Sequence, residues 1–108
     1  MNFGIEYTDE AKADIKTLDG SQRKQVLKAM SKVSSNPLPF SEGGYGKPLG
    51  NKNGNNLTGY LKIKLRQLGI RVVYKLIREQ ETMKVIVVSV REDNAVYQIA
   101  ADRINKIQ

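Results

Sequence analysis

The densest chemistry in the chain lies in residues 59–78, GYLKIKLRQLGIRVVYKLIR. Lys62, Lys64, Arg66, Arg71, Lys75 and Arg78 are all cationic there, and no carboxylate appears between Glu42 and Glu79. Lysine and arginine at close quarters stabilise charge on a phosphate or phosphorane. Cleavage of RNA through its own 2′-hydroxyl needs that service and two more: the hydroxyl must lose a proton, and the leaving 5′-oxygen must gain one. Crowded cations disfavour one another's charged forms, which lowers the pKa of a lysine among them and suits it to act as a base. Arginine rarely deprotonates, so it suits charge stabilisation better than literal acid catalysis. An aromatic residue such as Tyr97 can stack on an unpaired base. The plain alternative is that a charged strand face is only the solvated side of an antiparallel sheet. Like charges on neighbouring strands cost stability, however, and such a cost is easier to understand if the face meets an anion.

Other chemistries are narrowed by what is missing. The chain has no cysteine and no histidine. That removes disulfides, thiolate nucleophiles, the usual zinc sites, histidine-based triads and a two-histidine ribonuclease mechanism. Proton chemistry therefore falls to lysine, arginine, tyrosine or a carboxylate. A phosphate loop at GGYGKP fails, because Pro48 follows Lys47 where a Ser or Thr would be needed to bind Mg²⁺. No cofactor and no metal are expected.

The elements that must position these cations follow from periodicity. In YLKIKLR, Tyr60, Lys62, Lys64 and Arg66 alternate with Leu61, Ile63 and Leu65, which predicts a half-buried strand with the cations on one face. QLG turns the chain, IRVVYKLIR is a second strand, and EQET connects to a third, MKVIVVSV. This last run is apolar and β-branched, so it is expected at the centre of the sheet, covered on both faces. Upstream, residues 3–7 read as a short strand. Thr8 caps a helix containing Ala11, Ile15 and Leu18; Gly20 ends it, and Ser21 caps a second helix with Val26, Leu27, Met30 and Val33 as its apolar stripe. Pro37 and Pro39 stop that helix, and a Gly- and Asn-rich connection runs to Asn56 with one ordered piece near KPL. After REDN, the spacing of Val96, Ile99, Ala100, Arg103, Ile104 and Ile107 predicts a terminal helix over 94–106, capped by Asn94 or Asp93 and packed on the sheet. Tyr97 flanks its stripe. The expected fold is α+β: a small antiparallel sheet of about four strands, an N-terminal helical hairpin and a C-terminal helix.

With 108 residues the chain suits a single domain spanning 1–108. Its formal net charge of +7 points to a polyanionic partner. No apolar run is long enough to span a bilayer, and MNFGIEYTDE lacks the layout of a signal peptide, so no membrane partner and a cytoplasmic location are expected.

The segments YLKIKLRQLGIRVVYKL, VVSV and REDNAVYQIAADRI together resemble the RelE branch of the RelE/ParE toxin superfamily, the toxins of bacterial type II toxin–antitoxin pairs. The resemblance runs by pattern over the whole chain and is most specific between Tyr60 and Ile104. It implies the microbial-ribonuclease-like RelE fold and ribosome-dependent endonucleolytic cleavage of mRNA in the A site, leaving a 2′,3′-cyclic phosphate and a 5′-hydroxyl. It further implies a catalytic set of Lys62, Lys64, Arg71, Arg91 and Tyr97. In that set Lys64 is the favoured general base, and Arg91 serves the leaving oxygen. Lys62 and Arg71 stabilise phosphate charge, and Tyr97 positions or stacks a base. Arg66, Lys75 and Arg78 are left to bind RNA. The implied partners are a cognate antitoxin, the ribosome and mRNA, with the toxin–antitoxin complex a higher-order assembly. One departure stands out: many relatives carry a Gly-Lys pair before the catalytic arginine, whereas here Val90 is followed at once by Arg91. Two other readings are a ParE-like poison of DNA gyrase, which shares the fold, and an RNA-binding module without catalysis.

Overall fold

The apolar run MKVIVVS forms a strand with a neighbour on each edge and a helical layer on each face, as its composition requires. The computed structural model describes residues 2–52 and 54–107. The side chain of Ile107 and the residue Asn53, both covered by the sequence expectations, lie outside the described residues. The elements are β1 (Gly4–Tyr7), α1 (Asp9–Lys16), α2 (Gly20–Val33), β2 (Lys47–Pro48), β3 (Asn51–Lys52), β4 (Asn55–Asn56), β5 (Tyr60–Leu65), β6 (Ile70–Ile77), β7 (Thr82–Ser89) and α3 (Asp93–Ile107), with short 3₁₀ turns at Phe40–Glu42 and Arg78–Gln80.

The main sheet has the order β1-β7-β6-β5-β2. β1 runs parallel to β7, and the other pairs are antiparallel. The α+β class stands, but the sheet is mixed and five-stranded where an antiparallel sheet of about four strands was expected. The long connection supplies the fifth strand, because β2 pairs with β5 through Lys47 opposite Lys62 and Pro48 opposite Leu61. It also supplies the small β3–β4 hairpin.

Each face of the sheet has its own core. On one side α1 and α2 bury Ala11, Ile15, Val26, Met30 and Val33 against Leu61, Ile63, Val72, Tyr74, Met83 and Val85. On the other, α3 buries Val96, Tyr97, Ala100 and Ile104 against Val73, Ile86, Val87 and two leucines of the long connection, Leu49 and Leu57. Leu27, expected in the α2 stripe, is exposed instead. A β-bulge lets β7 serve both cores. The register steps from Val73 opposite Val87 to Tyr74 opposite Val85, so Ile86 is the extra residue and faces α3 together with Val87.

The helix ends show how the sequence sets the hairpin. The Thr8 hydroxyl accepts from the Ala11 amide at 3.1 Å, as expected for the cap of α1. The cap of α2 is Asp19, not Ser21. Asp19 and Gln22 form a reciprocal capping box, in which the Gln22 amide donates to Asp19 at 2.8 Å, and Gly20 becomes the first helical residue. Arg23 then donates to the carbonyls of Ile15, Lys16 and Leu18 at the end of α1, satisfying acceptors that a helix terminus leaves open.

The long connection is pinned at Gly46. A Cβ placed there would lie 2.2 Å from the Tyr74 hydroxyl and 2.6 Å from a Leu61 methyl, so only glycine lets the chain pass over the sheet at that point. The Tyr74 hydroxyl itself donates to the Pro37 carbonyl at 2.6 Å, and burial pushes its pKa well above the ordinary phenol value.

Candidate functional site

Three elements deliver charged side chains to one end of the sheet, on the α3 side. β5 carries Lys62 and Lys64, β6 carries Arg71, and α3 carries Asp93 and Tyr97. Lys64 stands directly opposite Arg71, and Arg71 opposite Ser89 of β7. Strict alternation puts Lys62 on the same face as Lys64. Asp93 and Tyr97 are four residues apart on a helix, so both point to that face from α3.

Lys62 is buried at 7% exposure, not solvated as the alternation pattern suggested. Its ammonium donates to the Tyr97 hydroxyl at 2.8 Å and to Asp93 at 3.3 Å. The other Asp93 oxygen accepts from Arg71 Nε in a short contact. A second nitrogen of Arg71 donates to the Arg91 carbonyl at 2.8 Å, which fixes the loop after β7. That loop is also held by the Arg91 amide donating to the Ser89 hydroxyl at 3.1 Å. The Arg91 and Lys64 side chains are exposed and make no ion pair among the described residues.

The electrostatics of the trio are coupled. Burial disfavours the Lys62 ammonium, but its hydrogen bonds to Tyr97 and Asp93 outweigh burial and hold its pKa above the ordinary lysine value. The expectation that crowding lowers a lysine here therefore fails for Lys62, because a carboxylate and a phenol intervene. Burial likewise acts to raise Asp93, and the bonds from Lys62 and Arg71 overcome it, leaving that carboxyl below the ordinary aspartate value. Lys62 is thus a fixed positive charge.

Tyr97 is buried at 6% exposure. Its ring centroid lies 5.4 Å from the Lys62 ammonium and 5.9 Å from that of Lys52 on β3. The β3–β4 hairpin is tied to the helix beneath it by Asn55 donating to Gln98 at 3.1 Å.

The remaining sequence candidates fall elsewhere. Arg66 lies past the end of β5 and lines a groove beside α2 with Lys28, Lys32 and Leu68, so it does not continue the Lys62–Lys64 face. Lys75 is paired with Tyr60 across the strands, its ammonium 5.8 Å from that ring. Arg78 begins a 3₁₀ turn and makes a two-pronged bond to Glu42 at 3.0 and 2.5 Å. Seven strand residues at about 3.3 Å each put it roughly 23 Å from Arg71. The apparent surplus of unpaired cations in the hairpin therefore shrinks: Lys62, Arg71 and Arg78 have carboxylate partners from distant sequence. Asp93 went unrecognised as one of them, although its i, i+4 relation to Tyr97 was a usable signal. Lys52 had no sequence signal. Among the described residues no group of three or more metal-ligating side chains occurs, and no helix is long and apolar enough to cross a membrane.

A family model described as ParE toxin of type II toxin–antitoxin system, parDE, matches residues 5–97. The chain belongs to the RelE/ParE superfamily of toxins. An Escherichia coli protein named as RelE-like toxin is 32% identical over 104 residues, covering 95% of this chain and 98% of that one. The free E. coli RelE toxin, solved as a double-arginine mutant, matches with 29% identity and a TM-score of 0.67, over 96% of this chain and 99% of that one. The intact E. coli RelBE toxin–antitoxin complex matches with 27% identity and a TM-score of 0.63, over 83% and 98%. The RelBE complex of Mycobacterium tuberculosis has a TM-score of 0.68 at 23% identity over 84% and 100%, a likeness of fold alone. The chain is a RelE-like toxin of the type II class.

Proposed function

We propose that this toxin is a ribosome-dependent endoribonuclease that cuts mRNA in the A site by attack of a ribose 2′-hydroxyl on the adjacent phosphate. The observation that carries the reading is the meeting of Lys62, Lys64, Arg71, Tyr97 and the Arg91 loop at one end of the sheet. Poisoning a topoisomerase has no need of such a cationic cluster. Lys64, exposed and without an ion-pair partner among the described residues, is the base toward the 2′-hydroxyl. Lys62 and Arg71, held in place by bonds from α3 and the Arg91 backbone, stabilise charge on the phosphorane. Arg91, exposed at the loop tip, serves the leaving 5′-oxygen. Tyr97 orients Lys62 through its hydroxyl; its buried ring meets an RNA base only when the covering hairpin or the start of α3 gives way. The shortened loop before Arg91 is compensated by the Arg71 bond to its carbonyl, which sets where the loop turns.

A cognate antitoxin belongs to the same proposal. Two of the matched relatives were solved as toxin–antitoxin complexes, and a net charge of +7 suits an acidic partner. We place the toxin in the cytoplasm with its ribosomal substrate, and its complex with antitoxin in a higher-order assembly.

The test is to map mRNA 5′ ends on ribosomes after brief induction. New ends inside A-site codons with the wild type, absent with Lys64→Ala or Arg91→Ala, are expected; intact mRNA on stalled ribosomes would overturn the reading. The ParE description of the matching family favours gyrase poisoning as the second reading. It predicts DNA damage before translation slows.

A further inference from the structure

The nuclease reading gives Asp93 no role, yet among the described residues it is the one carboxylate bonded to both Lys62 and Arg71. We propose that Asp93 is a built-in counter-ion that fills the anion position of the site, standing in the free protein where a phosphate of the RNA strand binds, and yielding that position when the phosphate arrives.

Geometry supports this in three ways. The two Asp93 oxygens are divided between donors from different strands, one to Lys62 Nζ and one to Arg71 Nε, which is how two oxygens of a phosphodiester would engage the same pair. Exposure is graded in the direction that exchange requires. The side chains of Lys62 and Arg71 are 8% and 16% exposed, while that of Asp93 is 36% exposed, so the anion is the member that solvent and ligand reach. The charge is also unbalanced, because one carboxylate serves two cations, with Lys64 opposite Arg71 on the same face. A second anion is therefore attracted even before Asp93 leaves. The carboxylate keeps Lys62 and Arg71 aimed at one point in the free toxin and taxes the binding of any polyanion there.

This inference rests on the nuclease reading for the identity of its ligand, and its test is independent of cleavage. A single-stranded 2′-O-methyl oligoribonucleotide, which offers no free 2′-hydroxyl, is titrated into the wild type, Asp93→Asn and the double variant Asp93→Asn/Lys62→Met at several salt concentrations. Asp93→Asn should bind about tenfold more tightly, with a log–log salt slope at least as steep as that of the wild type, since the same phosphates are contacted in both complexes. The double variant should lose the gain. Equal or weaker binding by Asp93→Asn, or a gain that survives Lys62→Met, overturns the proposal. A second measurement needs no variant. Inorganic phosphate titrated into the wild type should shift the NMR resonances of Lys62 Nζ and Arg71 Nε together, and unmoved resonances at saturating phosphate count equally against it. Cleavage on ribosomes without the Asp93→Asn gain sinks only the counter-ion; the gain without cleavage sinks only the nuclease.

Discussion

Helix α3 is tied down at two places by aspartate, and the two ties differ. Toward its C-terminal half, Arg103 grips Asp14 of α1 with two parallel bonds at 2.7 and 2.9 Å, and both side chains are 18% exposed. Each partner has a further bond to β7: Arg103 donates to the Ile86 carbonyl at 2.9 Å, and the Val88 amide donates to Asp14 at 2.9 Å. β1 ends at Tyr7, opposite Val85, so this ion pair takes over the edge of β7 that the short strand leaves uncovered. Here donors and acceptors match, and the one cation is fully supplied with carboxylate, since Glu10 also stands 4.0 Å from Arg103. At the other end, Asp93 is shared by two cations with two more close by. A saturated pair fixes a helix, whereas an under-supplied one marks where a ligand completes the charge.

The largest effect that sharpens this contrast is catalytic. Lys64→Ala or Arg91→Ala should lower mRNA cleavage by about 10²–10⁴-fold, the usual cost of one proton-transfer group for Lys64 and of one charge-stabilising donor for Arg91. The urea midpoint should stay unchanged, because both side chains are exposed. Next in size is a break of the saturated tie. Asp14→Ala leaves a partly buried guanidinium with only the Glu10 carboxylate, 4.0 Å away, and strands the Val88 amide on the β7 edge; it should cost about 3 kcal/mol in urea unfolding. The double change Asp14→Ala/Arg103→Met should recover part of that loss, since no lone charge is left behind.

Asp93→Asn should cost less, about 1 kcal/mol, because hydrogen bonding persists and the site is open to water. Its signature is the pH dependence. Asp93 is held below the ordinary aspartate value, so its stabilisation is complete above that value and is lost as pH falls through the depressed one. Lys62 is held above the ordinary lysine value, so its share is complete below that value and is lost as pH rises through the raised one. The stability gap between wild type and Asp93→Asn should therefore close in acid, as read by thermal melts from neutral pH downward; a gap constant with pH would assign Asp93 to packing. The smallest effect belongs to the solvent-exposed Arg78–Glu42 pair. Glu42→Gln should leave the melting temperature and the cleavage rate unmoved.

Much of this was legible in the sequence, and the failures have physical causes. Alternation placed Lys62 and Lys64 on one face of β5 correctly, but the same rule carried on to Arg66 after the strand had ended at Leu65. The β-branched run of β7 announced a strand covered on both faces. The partners of the cations were missed because charge balance was sought along the chain, while folding brings Asp93 to Lys62 and Arg71 from 31 and 22 residues away. The parallel pairing of β1 and the cover supplied by Leu49, Leu57 and Lys52 lie in contacts that no local periodicity encodes.

The bulge at Ile86 also acts as a phase marker. A strand writes its residues alternately to two sides, and one unpaired residue inverts the parity of everything after it. Val85 and Val88 both face the helical hairpin, while Ile86 and Val87 both face α3. Ser89 therefore comes out opposite Arg71, and the chain leaves the sheet toward the cationic site. Were the strand to alternate regularly through Ile86, without the bulge, the downstream text would be read on the wrong page: Ser89 would turn to the hairpin core and Val88 to the site. A single-residue deletion at Ile86 should thus keep Val87, Val88 and Ser89 on their present faces, whereas deletion of Val88, outside the bulge, should turn Ser89 to the hairpin core and cost this toxin more.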